Sequence, residues 1–385
     1  MKEHYFVNRE QIYKGGQIML IMDIKADNFF AFKNFHLNMS YPKKIVDTSI
    51  PGEFLKNKPN FRYKKVNIIM GGNATGKTSL GKLIMLFANY FKDGLFTRLT
   101  NVIDDQGIPA ALSIDFVTVD EKLYRFIMKV PSKKNGEYTA ADVNIRIFYT
   151  NITKRDSYET CAERLDSSSC SETTFDKVNT NGWYFSYPLD AWKNKTYSSI
   201  EEDDRYLIIL EQILKTLDPS IKEVIKVQEL ENTYAIKLDN QSVIIKEGKI
   251  TGAEVLSSGT KAGLDISYII ASLICNKHDL YYCDELFSYV NSDVEKACLS
   301  IIIEKLTEKK QLFFTTHNTD ILDMQLPKHS FIFLKKDICD PSEPIKAIYA
   351  SDYLKRSTDS LKHAVENDLF SAAPELDRLY ELAEL

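Results

Sequence analysis

The run Gly71-Gly72-Asn73-Ala74-Thr75-Gly76-Lys77-Thr78 has the form G-x-x-x-x-G-K-[ST], a spacing suited to holding phosphate. It follows the β-rich pentad VNIIM (66–70). It precedes SLGKLIMLFANYF (79–91), which is apolar at helical spacing, so the stretch reads as strand, glycine-rich loop and helix. In that setting the glycines let backbone N–H groups close around phosphate oxygens at the positive end of the helix. Lys77 would reach the β and γ phosphates of a nucleoside triphosphate, and Thr78 would hold Mg²⁺. Gly71 to Thr78, with Ser79 after them, are therefore the candidate contacts to ATP, and ATP and Mg²⁺ the expected cofactors.

Three further stretches carry groups that such a loop needs. Leu280-Tyr281-Tyr282-Cys283-Asp284-Glu285 is an apolar strand ending in two carboxylates. Asp284 at the strand tip would orient Mg²⁺ through its hydration shell, and Glu285 would accept a proton from the attacking water or orient it. Thr315-Thr316-His317 ends the next strand and brings a histidine to the same sheet edge, within reach of a γ-phosphate. Leu256-Ser257-Ser258-Gly259-Thr260-Lys261 opens a long helix. Taken alone it is an ordinary helix cap; beside the other motifs, Ser258 and Gly259 offer a hydroxyl and free N–H groups to an anion.

The elements that must position these groups follow from the hydrophobic pattern. Residues 17–39 read as two strands joined by a turn near Asp27-Asn28, and a lysine-rich loop follows. ALSIDFVTV, KLYRFIMKV and VNIRIFY read as antiparallel strands. Residues 151–200 turn polar, include DSSSCSETT, and read as an irregular insertion. A helix at 204–217 and a hairpin turning at Asp239-Asn240 come next. Helix 260–276, strand 279–283, helix 291–308 and strands 311–316 and 330–335 then alternate as in a parallel sheet. No heptad pattern persists, so no long coiled-coil arm is expected.

The 385 residues are 44% hydrophobic and 27% charged, enough for a sizeable globular core. A net charge of −5 neither requires nor excludes nucleic acid. The six cysteines, Cys161, Cys170, Cys275, Cys283, Cys298 and Cys339, form no CxxC pair and no zinc spacing with the six histidines. No apolar run approaches a bilayer span and the first residues lack the apolar core of a signal peptide, so a cytoplasmic protein without membrane attachment is expected.

On GGNATGKTS, LSSGTKAG, LYYCDE, Val290-Asn291-Ser292-Asp293 and TTHN in that order, with the opening DIKADNFFAFKNFHL, the chain resembles the ABC-type P-loop ATPases. Within them it resembles the branch holding SMC-like, RecF-like and OLD-family proteins. The likeness spans roughly residues 17–130 and 200–350. It implies an α/β fold of the ABC-ATPase head type: a mixed sheet around the P-loop, an antiparallel β subdomain and a small helical or irregular insertion. The expected divisions are 1–150 (N-terminal ATPase lobe), 151–216 (polar insertion and helical subdomain), 217–350 (C-terminal ATPase lobe) and 351–385 (tail). It also implies that Ser258 and Gly259 of one copy touch the γ-phosphate held by Lys77 of another, in a homodimer or higher homo-oligomer formed through the ATP sites. Asn291 to Asp293 resemble the segment that passes signals across that interface. The family's phosphate-sensing glutamine has Gln106 as its candidate here.

Transporter ATPases normally carry a second glycine and a glutamine where this chain has Ser-Ser-Gly-Thr, and SMC proteins place a very long coiled coil where only 178 residues (256 minus 78) stand here. OLD-family nucleases add a TOPRIM domain, for which the 68 residues after His317 (385 minus 317) are too few. The tail LKRSTDSLKHAVENDLFSAAPELDRLYEL is similar to that of stand-alone ATPases from bacterial anti-phage systems, such as the ATPase component of PARIS. The resemblance thus implies an ATPase sensor or regulatory scaffold that controls a separately encoded effector nuclease, with DNA or a phage protein as trigger. A DNA-repair or chromosome-maintenance clamp and a nucleotide-gated interaction module stay open beside it.

Overall fold

The computed structural model describes residues 19–370 apart from 46–47, 135, 168–169, 179–181, 188–196, 201–202, 229, 338 and 357–358, together with Leu382. The leader 1–16 and most of the tail beyond 370 lie outside the described residues. In chain order come β1 (Met19–Asp27), β2 (Phe35–Asn38), the small hairpin β3 (Phe54–Leu55) and β4 (Lys58–Arg62), then β5 (Val66–Met70), α1 (Lys77–Asp93) and α2 (Thr97–Thr100). They are followed by β6 (Ala110–Thr118), β7 (Lys122–Val130), β8 (Asn144–Asn151), α3 (Tyr158–Asp166), β9 (Ser171–Thr173), β10 (Trp183–Ser186) and α4 (Asp204–Leu217). Next are β11 (Glu223–Lys226), β12 (Thr233–Lys237), β13 (Ser242–Lys246) and β14 (Lys249–Thr251). The chain continues through α5 (Ser258–Ile274), β15 (Leu280–Asp284), α6 (Ser292–Lys305), β16 (Gln311–Thr315), β17 (Phe331–Lys336), β18 (Ile345–Tyr349), α7 (Ala350–Tyr353) and α8 (Leu361–Glu366).

The central sheet has the order β10-β15-β16-β5-β17-β18 and is parallel except for β18, which returns antiparallel to β17. It is a mixed α/β architecture. Five-residue strands such as VNIIM and QLFFT are buried throughout, as expected of strands covered on both faces. Alternation along them divides the core. Ile68, Cys283, Phe314 and Phe333 face a layer built from α4, α5 and α6, while Ile69, Tyr282, Phe313 and Ile332 face α1 and the antiparallel sheet β2-β1-β6-β7-β8-β9. Helices α1 and α5 therefore lie on opposite faces of the central sheet.

On its side α1 presents Leu80, Leu83, Ile84, Phe87 and Phe91 at helical spacing, and Phe87 meets Phe116 and Phe126 edge-on with centroids 5.3 and 5.4 Å apart. Gly94, left-handed at φ 68, stops the helix by donating its N–H to Tyr90 O. At the other end Gly81 sits against Tyr282: a Cβ there would lie 2.4 Å from the ring, whose hydroxyl donates to Lys77 O at 2.6 Å. Gly81→Ala is accordingly expected to overpack this contact and to lower unfolding free energy by about 1–3 kcal/mol in urea titration. Unchanged stability would mean that the helix stands off the sheet.

A buried side chain of the central sheet bonds the backbone of the antiparallel one. Fully buried Gln311 accepts from Ile21 N (2.8 Å) and donates to Ile21 O (3.0 Å) and Lys64 O (3.1 Å), where β1 breaks register with β6 between Ile21 and Asp23.

Two sequence expectations need correction. The turn near Asp27-Asn28 is a longer loop, 28–34, with Asn28, Phe30 and Asn34 left-handed; Asn28 anchors it by donating from its side chain to Asp105 O at 2.7 Å. The stretch 151–200 is not wholly irregular: Ser157 and Thr160 form a capping box that starts α3, and β10 joins the central sheet in parallel with β15, Ser186 opposite Cys283. A four-residue strand with no alternation gives no periodic signal, and only its partner strand defines it. No helix among the described residues is long and apolar enough to cross a membrane.

Candidate nucleotide site

The strand order β15-β16-β5 places the ends of three strands side by side, so 284–285, 315–317 and the loop 71–76 share one edge. Within the loop, glycine is required where the backbone is crowded. A Cβ on Gly71 would lie 2.4 Å from Leu334 O, and one on Gly76 (φ 98) would lie 3.0 Å from Phe32 and 3.1 Å from Ile345. Thr75 Oγ1 donates to Gly72 O at 2.9 Å and Ala74 is left-handed at φ 60, which closes the loop on itself. No side chain caps α1 at Gly76 and its first turn has no acidic residue, so the leading N–H groups, without intrahelical acceptors, suit an anion.

Lys77 is only 4% exposed, and its ammonium donates to Gly71 O (2.8 Å) and Gly72 O (3.1 Å). Glu285 Oε1 is 3.4 Å from it and His317 Nε2 3.1 Å. Burial pulls the Lys77 pKa down, opposed by Glu285.

Asp284 is fully buried; its Oδ2 accepts from Thr78 Oγ1 at 2.6 Å and its Oδ1 from Thr315 Oγ1 at 2.7 Å. Burial pushes its carboxyl up, and the two hydroxyls counter it. Glu285, left-handed at φ 46, is held by its N–H on Thr315 Oγ1 (2.9 Å), which turns the carboxylate toward Lys77 and His317. His317 Nε2 lies 2.8 Å from Glu285 Oε1. That nitrogen either donates to the carboxylate or accepts from Lys77, since one tautomer cannot do both. The His317 hydrogen bond, followed by the Lys77 charge, holds the Glu285 carboxyl below its ordinary range.

Five residues from three separate stretches, Lys77, Thr78, Asp284, Glu285 and His317, thus form one contiguous cluster. No group of three His, Cys, Asp or Glu side chains among the described residues suffices for a metal ion alone. One hydroxyl and one carboxylate are what Mg²⁺ needs from protein when phosphate and water complete its shell, so Thr78 and Asp284 fit it.

No protein-family model matches the chain, and no curated protein does. Among solved structures the chain is similar to an Smc head bound to the C-winged helix domain of ScpA (14% identity, 87% of this chain, 99% of that chain, TM-score 0.49). It is also similar to the SMC head domain from Thermotoga maritima (11% identity, 86% of this chain, 98% of that chain, TM-score 0.43). A third is the recombination mediator protein RecF-ATPrS in the RecFOR pathway (13% identity, 86% of this chain, 98% of that chain, TM-score 0.41). Its structural neighbours include SMC head domains and RecF.

Ser258 and Gly259 are not brought to the cluster. Ser257 caps α5 by accepting from Thr260 N at 3.0 Å, which leaves Ser258 exposed on the face of the sheet opposite α1. A Cβ on Gly259 would lie 2.8 Å from Tyr289 O, so the head of α5 packs on the segment leading to Asn291. Asn291 caps α6 by accepting from Asp293 N (2.8 Å).

Gln106 is not at the cluster either. It is exposed in the loop before β6, where its carbonyl accepts from Lys133 N. Beside Asp284 stands Tyr187, the residue after β10, whose buried hydroxyl donates to Met85 Sδ at 3.8 Å. Thr315 also escaped the sequence reading. Its signal was its place two residues before His317, but a threonine ending a strand is ordinary, and only pairing of β16 with β15 reveals that it serves Asp284.

Proposed function

We propose that this chain binds ATP with Mg²⁺ in the 71–79 loop and hydrolyses it. The supporting observation is the convergence of Lys77, Glu285 and His317, from three distant stretches, within 3.4 Å of one another above the Asp284–Thr78 pair. Mg²⁺ held by Thr78 and Asp284 would neutralise charge on the phosphates. Lys77 grips the β and γ phosphates, Glu285 receives or orients the proton of the attacking water, and His317 hydrogen-bonds the γ-phosphate.

The exposed Ser258 and half-buried Gly259, at the head of a helix that packs on the other face of the sheet from α1, complete the site of a second copy, so the active form is a homodimer or higher homo-oligomer. If so, Ser258→Arg keeps nucleotide affinity within about twofold while hydrolysis falls by about tenfold or more, the scale of losing one set of transition-state donors. Steady-state phosphate release with a fluorescent-nucleotide titration reads both. Full turnover by Ser258→Arg would reduce the SSGT segment to a helix cap.

In the cell we assign the ATPase as a sensor or regulatory scaffold in anti-phage defence that controls a separately encoded nuclease. The Ser-Ser-Gly-Thr segment, the lack of a long coiled coil among the described residues and the tail's likeness in sequence to such ATPases support this. Turnover with and without duplex DNA, and co-purification with the product of the neighbouring reading frame, test it. Strong stimulation by DNA without a co-purifying partner would favour the DNA-repair clamp.

A further inference from the structure

Glu295, on the first turns of α6, is 3% exposed and has no cationic partner among the described residues. Its two oxygens hold the residues on either side of His317: Oε1 accepts from Thr316 Oγ1 at 2.8 Å and Oε2 from Asn318 Nδ2 at 2.7 Å. Asn318 Nδ2 also donates to Ser292 Oγ (2.9 Å), Ser292 Oγ to Asp320 Oδ2 (2.6 Å), and Asn318 N to Thr316 Oγ1 (3.0 Å). The head of α6 and the segment 316–320 are thereby closed into one polar clamp around the histidine.

A carboxylate without a cation is costly to bury, and burial pushes the Glu295 carboxyl up. What it supplies is two acceptors pointing in different directions for two fixed donors, an arrangement no apolar residue and no glutamine reproduces. Its neighbours Ser292 and Asp293 belong to the stretch that would face a second copy.

We infer that Glu295 is the positioning residue for His317: it fixes the backbone of 316–318 so that the imidazole meets Glu285 and Lys77, and links that placement to the head of α6. The inference deepens the ATPase reading and rests on it.

The test is a double-mutant cycle of Glu295→Ala and His317→Ala, read as kcat, KM and ATP affinity of the full chain. Expected are nucleotide affinity within about twofold and kcat about tenfold lower for Glu295→Ala, with the double variant no slower than His317→Ala alone, because residues acting as one unit are not additive. Glu295→Gln, which keeps volume and one acceptor, should recover part of the loss and carries the same cycle if the alanine variant fails to fold. Additive defects, or an affinity loss that matches the kcat loss, would overturn the positioning role while leaving the ATPase reading intact. Turnover in the unmodified chain that survives Lys77→Ala would overturn that reading and the inference with it.

Discussion

Replacing Lys77 with alanine is expected to abolish ATP binding while leaving the fold in place. The ammonium is buried at the loop, held by two loop carbonyls, and desolvation already works against its charge. Removing it therefore deletes the fixed cation of the phosphate cradle without deleting a strong structural interaction. Nucleotide would forfeit charge-assisted hydrogen bonds to its phosphate oxygens, so affinity should fall by about 100-fold or more, corresponding to about 2.7 kcal/mol or above. Isothermal titration with ATP and Mg²⁺ measures the affinity, and a melting curve without nucleotide checks the fold. An affinity near that of the unmodified protein would remove the 71–79 loop from nucleotide binding.

Glu285→Gln should separate binding from chemistry. The amide keeps the shape of the side chain and the backbone anchor on Thr315, yet it is neither a proton acceptor nor a charge beside Lys77. Hydrolysis is expected to fall by about 100-fold or more, from the lower edge of general-base contributions upward, with nucleotide affinity retained. If product formation is what releases paired copies, the variant should accumulate as an ATP-bound pair, visible as a nucleotide-dependent shift in sedimentation. Undiminished turnover would take Glu285 out of its role and point to His317, 2.8 Å away, as the group acting on water.

The parts of this site that could be read from sequence are those whose chemistry is local. The loop 71–78 announces itself because the glycines, lysine and threonine of its pattern must be contiguous. Asp284-Glu285 and His317 announce themselves because strand ends project side chains at a sheet edge. Long amphipathic elements such as α1 and α5 were equally legible, since a buried face repeats. Illegible were contributions defined only by pairing between distant stretches. Thr315 serves Asp284 because β16 lies beside β15; β10 exists because β15 offers an open edge; and Glu295 looks like any acidic residue near the start of a helix until 316–318 fold against it. Gln106 was chosen only for its position along the chain between loop and signature, and such a position does not say what the loop before β6 packs on: there its carbonyl accepts from Lys133 N and its neighbour Asp105 is held by Asn28.

The strand order of the central sheet bears on how the protein is made. β5 has β16 and β17 as its neighbours, so the apolar run VNIIM gains its first ladder partner only when residue 311 has been synthesised, 241 residues after Met70 (311 minus 70). At ribosomal rates of roughly 5–20 residues per second that is an interval of about 12–48 s. Once residue 130 is made, α1 can dock on β6 and β7, while the strand that carries the glycine-rich loop stays unpaired and open to wrong pairing. Newly made chains lacking the last 80 or so residues should thus be the species that aggregates or recruits chaperones. Arrest of translation just before and just after β16 emerges, followed by limited proteolysis within β5, would show protection appearing in a single step.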